Sequence, residues 1–298
     1  MAPLITAAVC TRGRPESLGR TVRSLLACEH PAFEVLVVDQ GDDDRSTASL
    51  QEFRGHPGLR HVRTATRGLA AARNLAMAEA AADLVAFTDD DCEVPCNWLD
   101  ETERATADPG IVLLFGDVRP AACPDDGSFV PSHVAARPGL ARSLREMPAV
   151  EGMGACMALR RIGWKALGGF DEMLGAGSPL RSAEELDFSM RALLAGRPVA
   201  RSTRVRVLHH GLRRRGQVES VTWDYLFGTG AAFAKHAKCG HAALAGHLFR
   251  VALRWGRGRS PVAIGAEPRR ALRLEAFTAG FLRGLAMPVD RRTGLFLR

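Results

Sequence analysis

The sequence predicts an α/β protein: a mostly parallel central sheet with helices on both faces over residues 1–212, then a basic, mainly helical extension over residues 213–298. Three observations carry that expectation. The apolar runs are short and nearly continuous rather than alternating, as in strands covered on both faces. Helical patterns separate them, as crossover connections between parallel strands require. The charge is unevenly divided: residues 201–298 hold 19 Lys and Arg against 5 Asp and Glu, in a chain of 298 residues with a formal net charge of +7.

Taken in order, Leu4–Cys10 reads as a first strand, Thr11–Pro15 as a loop, and Leu18, Val22, Leu25 and Leu26 as one face of a helix. Phe33–Val38 is a second strand, ending at Asp39 and the polar loop Gln40–Asp44. Leu59–Arg63 is a weaker third strand, and Gly68–Ala80 an Ala-rich helix carrying Arg73 and Asn74. The fourth strand, Leu84–Phe87, runs into Thr88-Asp89-Asp90-Asp91. Ile111–Phe115 is a further strand, after which Pro120, Pro124, Pro131, Pro138 and Pro148 break any long element, the pattern of a lid or acceptor-facing region. Regular structure resumes at Met153–Leu159, then a Gly-rich loop Gly168–Asp171, a helix from Glu184 burying Leu186, Met190, Leu193 and Leu194, and a strand Val199–Leu208 ending at His209-His210. The extension holds helical stretches around Trp223–His236 and Ala242–Trp255. Ligands of such sheets bind beyond the carboxyl ends of the strands, so the loops Thr11–Pro15, Asp39–Asp44 and Asp89–Asp91 should converge on one crevice.

With 46% hydrophobic and 24% charged residues the composition is globular. No apolar run approaches the ~18 residues of a membrane-spanning helix, and the apolar start lacks the basic flank and cleavage site of a leader. Seven scattered cysteines do not form a disulfide framework. Cys92 and Cys96 have no second pair to complete a zinc site and read as structural. The expected location is the cytoplasm. Arg-biased composition explains part of the basic extension. Its apolar positions Leu226, Phe227, Phe233, Leu248, Phe249, Val251 and Leu253, interleaved with basic ones, point to peripheral association with an anionic membrane surface in preference to nucleic acid.

Three carboxylates at a strand end repel one another unless something positive holds them. A hard cation, Mg2+ or Mn2+, bound with a nucleoside diphosphate meets that need, since it takes one or two carboxylates and fills its shell with phosphate oxygens and water. A solvated acidic turn is the alternative. The ordered set Val9–Pro15, Val37-Val38-Asp39, Arg67-Gly68 with Ala72-Arg73-Asn74, Phe87–Asp91, Gly168–Asp171 and Glu184–Asp187 resembles the second family of inverting glycosyltransferases over roughly residues 4–211.

The resemblance implies the Rossmann-like GT-A fold, a nucleotide-sugar donor, a hydroxyl acceptor that is a glycan, a lipid-linked sugar or a small molecule, and a divalent cation. It further implies that Thr11, Arg12 and Arg14 lie by the nucleotide, Asp39 by the base, Arg73 near the nucleotide, Asp89 and Asp90 by the ribose or diphosphate, and Asp91 on the metal, with His209 or His210 completing its shell. The family's base is usually an Asp after Glu on the helix start. Here Glu185 stands in that place and Asp187 is its competitor. Ser182–Glu185 also fits a capping box, in which Glu185 would fold back on the helix. Two other classes share parts of this pattern, a sugar nucleotidyltransferase and a non-catalytic binding protein. The single glycine of the first loop, Gly13, is short of the Gly-rich loop that the former needs.

Overall fold

The protein was analysed as a computed structural model, which describes residues 5–124, 126–244, 246 and 270–297. The first half winds as the sequence predicts. β1 (Ile5–Thr11), α1 (Pro15–Leu26), β2 (Phe33–Asp39), α2 (Arg45–Ser49), β3 (Leu59–Arg63), α3 (Leu69–Glu79) and β4 (Leu84–Asp89) follow one another, and the four strands pair in parallel in the order β3-β2-β1-β4. Alternation along β1 and β2 feeds two cores. Ile5, Ala7, Val9, Val35 and Val37 pack on one face with Leu18, Val22 and Leu25 of α1. Ala8, Leu36 and Val38 pack on the other with Ala72, Ala76 and Met77 of α3.

The second half is mixed rather than parallel. After β5 (Cys92–Glu93) and α4 (Trp98–Ala105) come β6 (Leu113–Pro120), β7 (Gly139–Ala141), β8 (Cys156–Arg160), α5 (Arg161–Ala166), α6 (Glu184–Leu194) and β9 (Val199–His209). The sheet continues β4-β8-β6-β9-β5, with β8 antiparallel to both neighbours and β6 parallel to β9. The register between β6 and β9 breaks at a bulge: Phe115 pairs with Arg201, but Asp117 pairs with Arg206. β9 also pairs antiparallel with β5 and β7.

The Pro-broken stretch lies against this half. Val118 bridges His133, Phe129 bridges Arg213, and buried Arg201 donates from Nη2 to Asp117 Oδ1 at 2.8 Å and sets Nη1 2.7 Å from His133 Nδ1. The extension supplies α7 (Val218–Lys238), α8 (Arg270–Ala286) and a small hairpin of β10 (Val289–Asp290) with β11 (Leu295–Phe296). Two of the positions expected to meet a membrane are core residues instead. Leu226 is 4% and Phe233 3% exposed, because α7 lays its apolar side on the domain, and Phe233 packs on Phe277 of α8 with ring centres 6.0 Å apart. Leu248, Phe249, Val251 and Leu253, and most of the helix expected over Ala242–Trp255, lie outside the described residues. Among the described residues no helix is long and apolar enough to cross a membrane. All seven cysteines are free.

Candidate active site

Parallel register brings the predicted loops together. Thr11 pairs with Asp39, and Cys10 with Asp89, so the ends of β1, β2 and β4 open side by side on one crevice. Asp90 turns inward. Its Oδ2 accepts from Thr11 Oγ1 at 2.7 Å and its Oδ1 from Arg14 Nη1 at 3.1 Å, and Arg14 Nη1 also donates to Asp91 Oδ2 at 2.8 Å. Burial nevertheless pushes the Asp90 carboxyl up to about 6. Asp89 faces the crevice with its Oδ1 3.6 Å from Arg73 Nη2. Asp91, which a triple-acid turn would leave in solvent, is only 7% exposed, because the end of β9 closes over it.

That closure brings in His209. Its Nδ1 lies 2.7 Å from the Pro131 carbonyl, which can only accept, so Nδ1 carries a proton. The opposite nitrogen, Nε2, lies 3.3 Å from Asp91 Oδ1, a buried oxygen that has no other hydrogen-bond partner. In the neutral ring two lone pairs face each other, an arrangement favourable only with a proton or a cation between them. Burial disfavours the imidazolium, but the bond and charge of Asp91 outweigh it and raise the ring above its usual value. Burial likewise works against the Asp91 carboxylate, and His209 and Arg14 outweigh it and hold it low. Gly211 leaves the room: a Cβ there would stand 2.8 Å from Asp91 Oδ2 and nearer still to His209 Nε2.

Asp91, Cys92 and His209 form a group whose ligand atoms lie within 4.8 Å of one another. Burial holds the Cys92 thiol well above its usual range, so it stays protonated and adds no charge for a hard cation. His210 is not brought in, since the strand alternates and its Nε2 sits 2.9 Å from Glu93 Oε1.

On the other wall stand the paired glutamates at the start of α6. Glu184, 4% exposed, accepts from Arg73 Nη1 at 2.6 Å, so the buried Arg73 guanidinium links Glu184 to Asp89. Glu185 follows, partly exposed, and burial together with the adjacent Glu184 pushes its carboxyl up to about 8. It is not part of a capping box. Ala183 occupies the cap position in a left-handed conformation with φ 76°, no side chain caps the helix, and Ser182 Oγ donates instead to carbonyls of α7. Asp187 is fully buried away from solvent, held by Lys235 at 2.7 Å, Arg191 at 2.9 Å and His236 at 3.0 Å. Burial opposes its charge, but Lys235 and Arg191, with the hydrogen bond to His236, hold it far below the usual carboxylate range, and these partners leave it no open face to receive a proton from a substrate.

Arg12 lies exposed at the rim, 3.9 Å from Asp42, and Asp39 is buried with Oδ1 accepting from the Gly41 amide at 2.8 Å and Oδ2 3.3 Å from His61. Sequence reasoning missed the Arg73–Glu184 pair, the Pro131 carbonyl and the nearness of Cys92, all contacts between residues far apart in the chain. The only sequence signal for any of them is the doubled Glu184-Glu185 itself.

The sequence pattern of the family described as Glycosyl transferase family 2 matches residues 6–162. Succinoglycan biosynthesis protein ExoM of Rhizobium meliloti is 30% identical over 116 residues, 37% of each chain. The fold is similar to the mannosyltransferase PcManGT from Pyrobaculum calidifontis, in complex with GDP-Man and Mn2+, at 18% identity and a TM-score of 0.62, covering 96% of this chain and 88% of that one. It is similar too to S. aureus TarS 1-349 at 17% identity and a TM-score of 0.56, covering 77% of this chain, and that protein is also seen in complex with UDP-GlcNAc. The chain spans 37% of the length of the curated relative and 65% of TarS 1-349. A GT-A-like sheet, an acidic strand end in a crevice and a family pattern covering more than half of the residues converge, and the chain belongs to glycosyl transferase family 2.

Proposed function

We propose that the protein is an inverting glycosyltransferase that moves a sugar from a nucleoside-diphosphate sugar to a hydroxyl acceptor, with a divalent cation, Mg2+ or Mn2+, at Asp91 and His209. The observation that supports it most is the buried Asp91 Oδ1 set 3.3 Å from His209 Nε2 with no other partner, a donor set of one oxygen and one nitrogen held open by Gly211. A cation there, when bound, neutralises the diphosphate as it leaves. Arg12, Arg14 and Asp89 line the donor side, with Thr11 and Asp90 holding Arg14 in place. Asp39 sits where the base of the nucleotide would lie. Arg73 is neutralised by Glu184 and Asp89, so its part is to fix those carboxylates.

Glu185 is the general base. It takes the proton of the acceptor hydroxyl as that oxygen bonds to the anomeric carbon, while the bond from that carbon to the diphosphate breaks and the nucleoside diphosphate departs. A single displacement inverts the anomeric centre. The acceptor is a lipid-linked sugar at an anionic membrane surface in the cytoplasm. Its support is the basic extension and the exposed Leu274, Leu282 and Leu285 on α8 beside Arg283. The donor test is thermal stability with UDP-, GDP- and dTDP-sugars with and without Mn2+. One donor should raise the midpoint only with metal, and the absence of any metal-dependent shift overturns the reading. Cosedimentation with anionic vesicles at low salt tests the surface, and a protein that stays in the supernatant overturns it.

A further inference from the structure

The turn before Glu185 is strained and is gripped from outside its own domain. Arg181 and Ala183 both have positive φ, 69° and 76°, although neither is glycine, so the backbone at 181–183 holds its shape only because neighbours over-determine it. One of those neighbours is α3, through Arg73 on Glu184. The others belong to α7. Ser182 Oγ lies 2.9 Å from the Asp224 carbonyl and 3.0 Å from the Tyr225 carbonyl, and Arg181 Nη1 pairs with Asp224 Oδ1 at 2.6 Å. Gly228 makes the approach feasible: a Cβ there would stand 2.5 Å from the Ser182 carbonyl oxygen and 2.7 Å from that of Leu180, both backbone atoms that cannot swing aside.

We infer that α7 sets the position of Glu185, with Ser182 and Gly228 as positioning residues that lock the left-handed turn in front of it. The inference rests on Glu185 being the base, and it makes the extension a working part of the active site. The contact falls where the first turn of α6 begins, so a displacement of the turn is carried into Glu185 within two or three residues. A shift of about 1 Å at a base costs on the order of 10²-fold in rate. Donor binding, which uses the far wall of the crevice, stays as it was.

The test is steady-state hydrolysis of UDP-N-acetylglucosamine and GDP-mannose with Mn2+ by the full chain at 20 °C. Four variants are compared: Glu185→Gln, Gly228→Ala, Ser182→Ala and, as control, Gly216→Ala, where an added Cβ meets nothing. Gly228→Ala should lose about 10²-fold in kcat with KM for the donor within twofold. Ser182→Ala, which adds no bulk, should lose about tenfold, also in kcat alone. Gly216→Ala should match the wild type. A purely structural contact would lower the melting midpoint of Gly228→Ala but leave kcat intact well below it. If Glu185→Gln is inactive while Gly228→Ala and Ser182→Ala turn over normally, the positioning role is overturned and the base stands. If Glu185→Gln turns over normally, the base assignment falls first.

Discussion

The acidic clusters around Asp187 and around Asp89–Asp91 are built on opposite terms. Around Asp187 and Asp171 every charge is answered: Lys235, fully buried, sits 2.6 Å from Asp171 and 2.7 Å from Asp187, while Arg191 and His236 take the remaining edges. Around Asp89–Asp91 the accounts do not balance. Asp91 Oδ1 has only His209 Nε2 beside it, Arg14 is shared between two carboxylates, and His209 and Asp91 leave one place between them for a proton or a cation. A buried polar group left unmatched costs stability, which is the term that the proposed ligand would relieve. The satisfied cluster fastens α7 to α6, and the unsatisfied one is where we propose that the donor and its cation bind.

The contrast can be broken or sharpened by substitution, the largest effect coming from the satisfied side. Lys235→Met leaves buried Asp171 without its cation and Asp187 with one partner fewer, and should cost about 3–5 kcal/mol of unfolding free energy in denaturant titrations. Adding Asp171→Asn should recover part of that loss, because Asp187 keeps Arg191 and His236. A loss below about 1 kcal/mol would mean the cluster is wetter than the structure shows. On the unsatisfied side, Asp91→Asn should abolish Mn2+-dependent donor binding, at least about tenfold in calorimetric titration, as loss of a charged ligand does, with the melting midpoint unchanged or raised.

A further contrast comes from pH. Glu185 has its carboxyl raised in the folded state, so the fold binds its proton more tightly than the unfolded chain does. Stability is therefore fullest below the unfolded value, about 4.3, and declines as pH rises towards about 8. Glu185→Gln should remove that decline, while kcat/KM of the wild type should climb with pH and level off near 8. A pH-independent rate between 6 and 9 would exclude Glu185 as the titrating base.

The sequence carried the parallel half almost residue by residue, because continuous apolar runs and the amphipathic face of α1 are local signals. It also carried the acidic strand end. What it hid was decided by distant partners. A solvated turn stayed open as the alternative at Asp91 because nothing local announces that β9, more than a hundred residues on, will cover it. His209 and His210 were indistinguishable until the ladder set His209 opposite Cys92 and beside Asp91, and left His210 Nε2 against the Glu93 carboxylate. Ser182 looked like a cap from its spacing, and a tertiary contact with α7 won instead. Leu226 and Phe233 fit a membrane-facing pattern as well as a core-facing one, since periodicity gives a stripe but not its target.

The bulge between β6 and β9 has a consequence for how this site tolerates changes in chain length. The near half of β9 is registered at Val199–Arg201 against β6 and β7, and the far half from Arg206 to His209 against β6 and β5. Residues 202–205 between them form the bulge, where Ser202 Oγ accepts from the Arg204 and Val205 amides. An insertion there falls where the ladder with β6 is already out of register, and the expected outcome is that His209 stays opposite Cys92. One residue added after Arg206 has no bulge to enter: it shifts the strand by one step, exchanges inward for outward positions, and turns a different side chain toward Asp91.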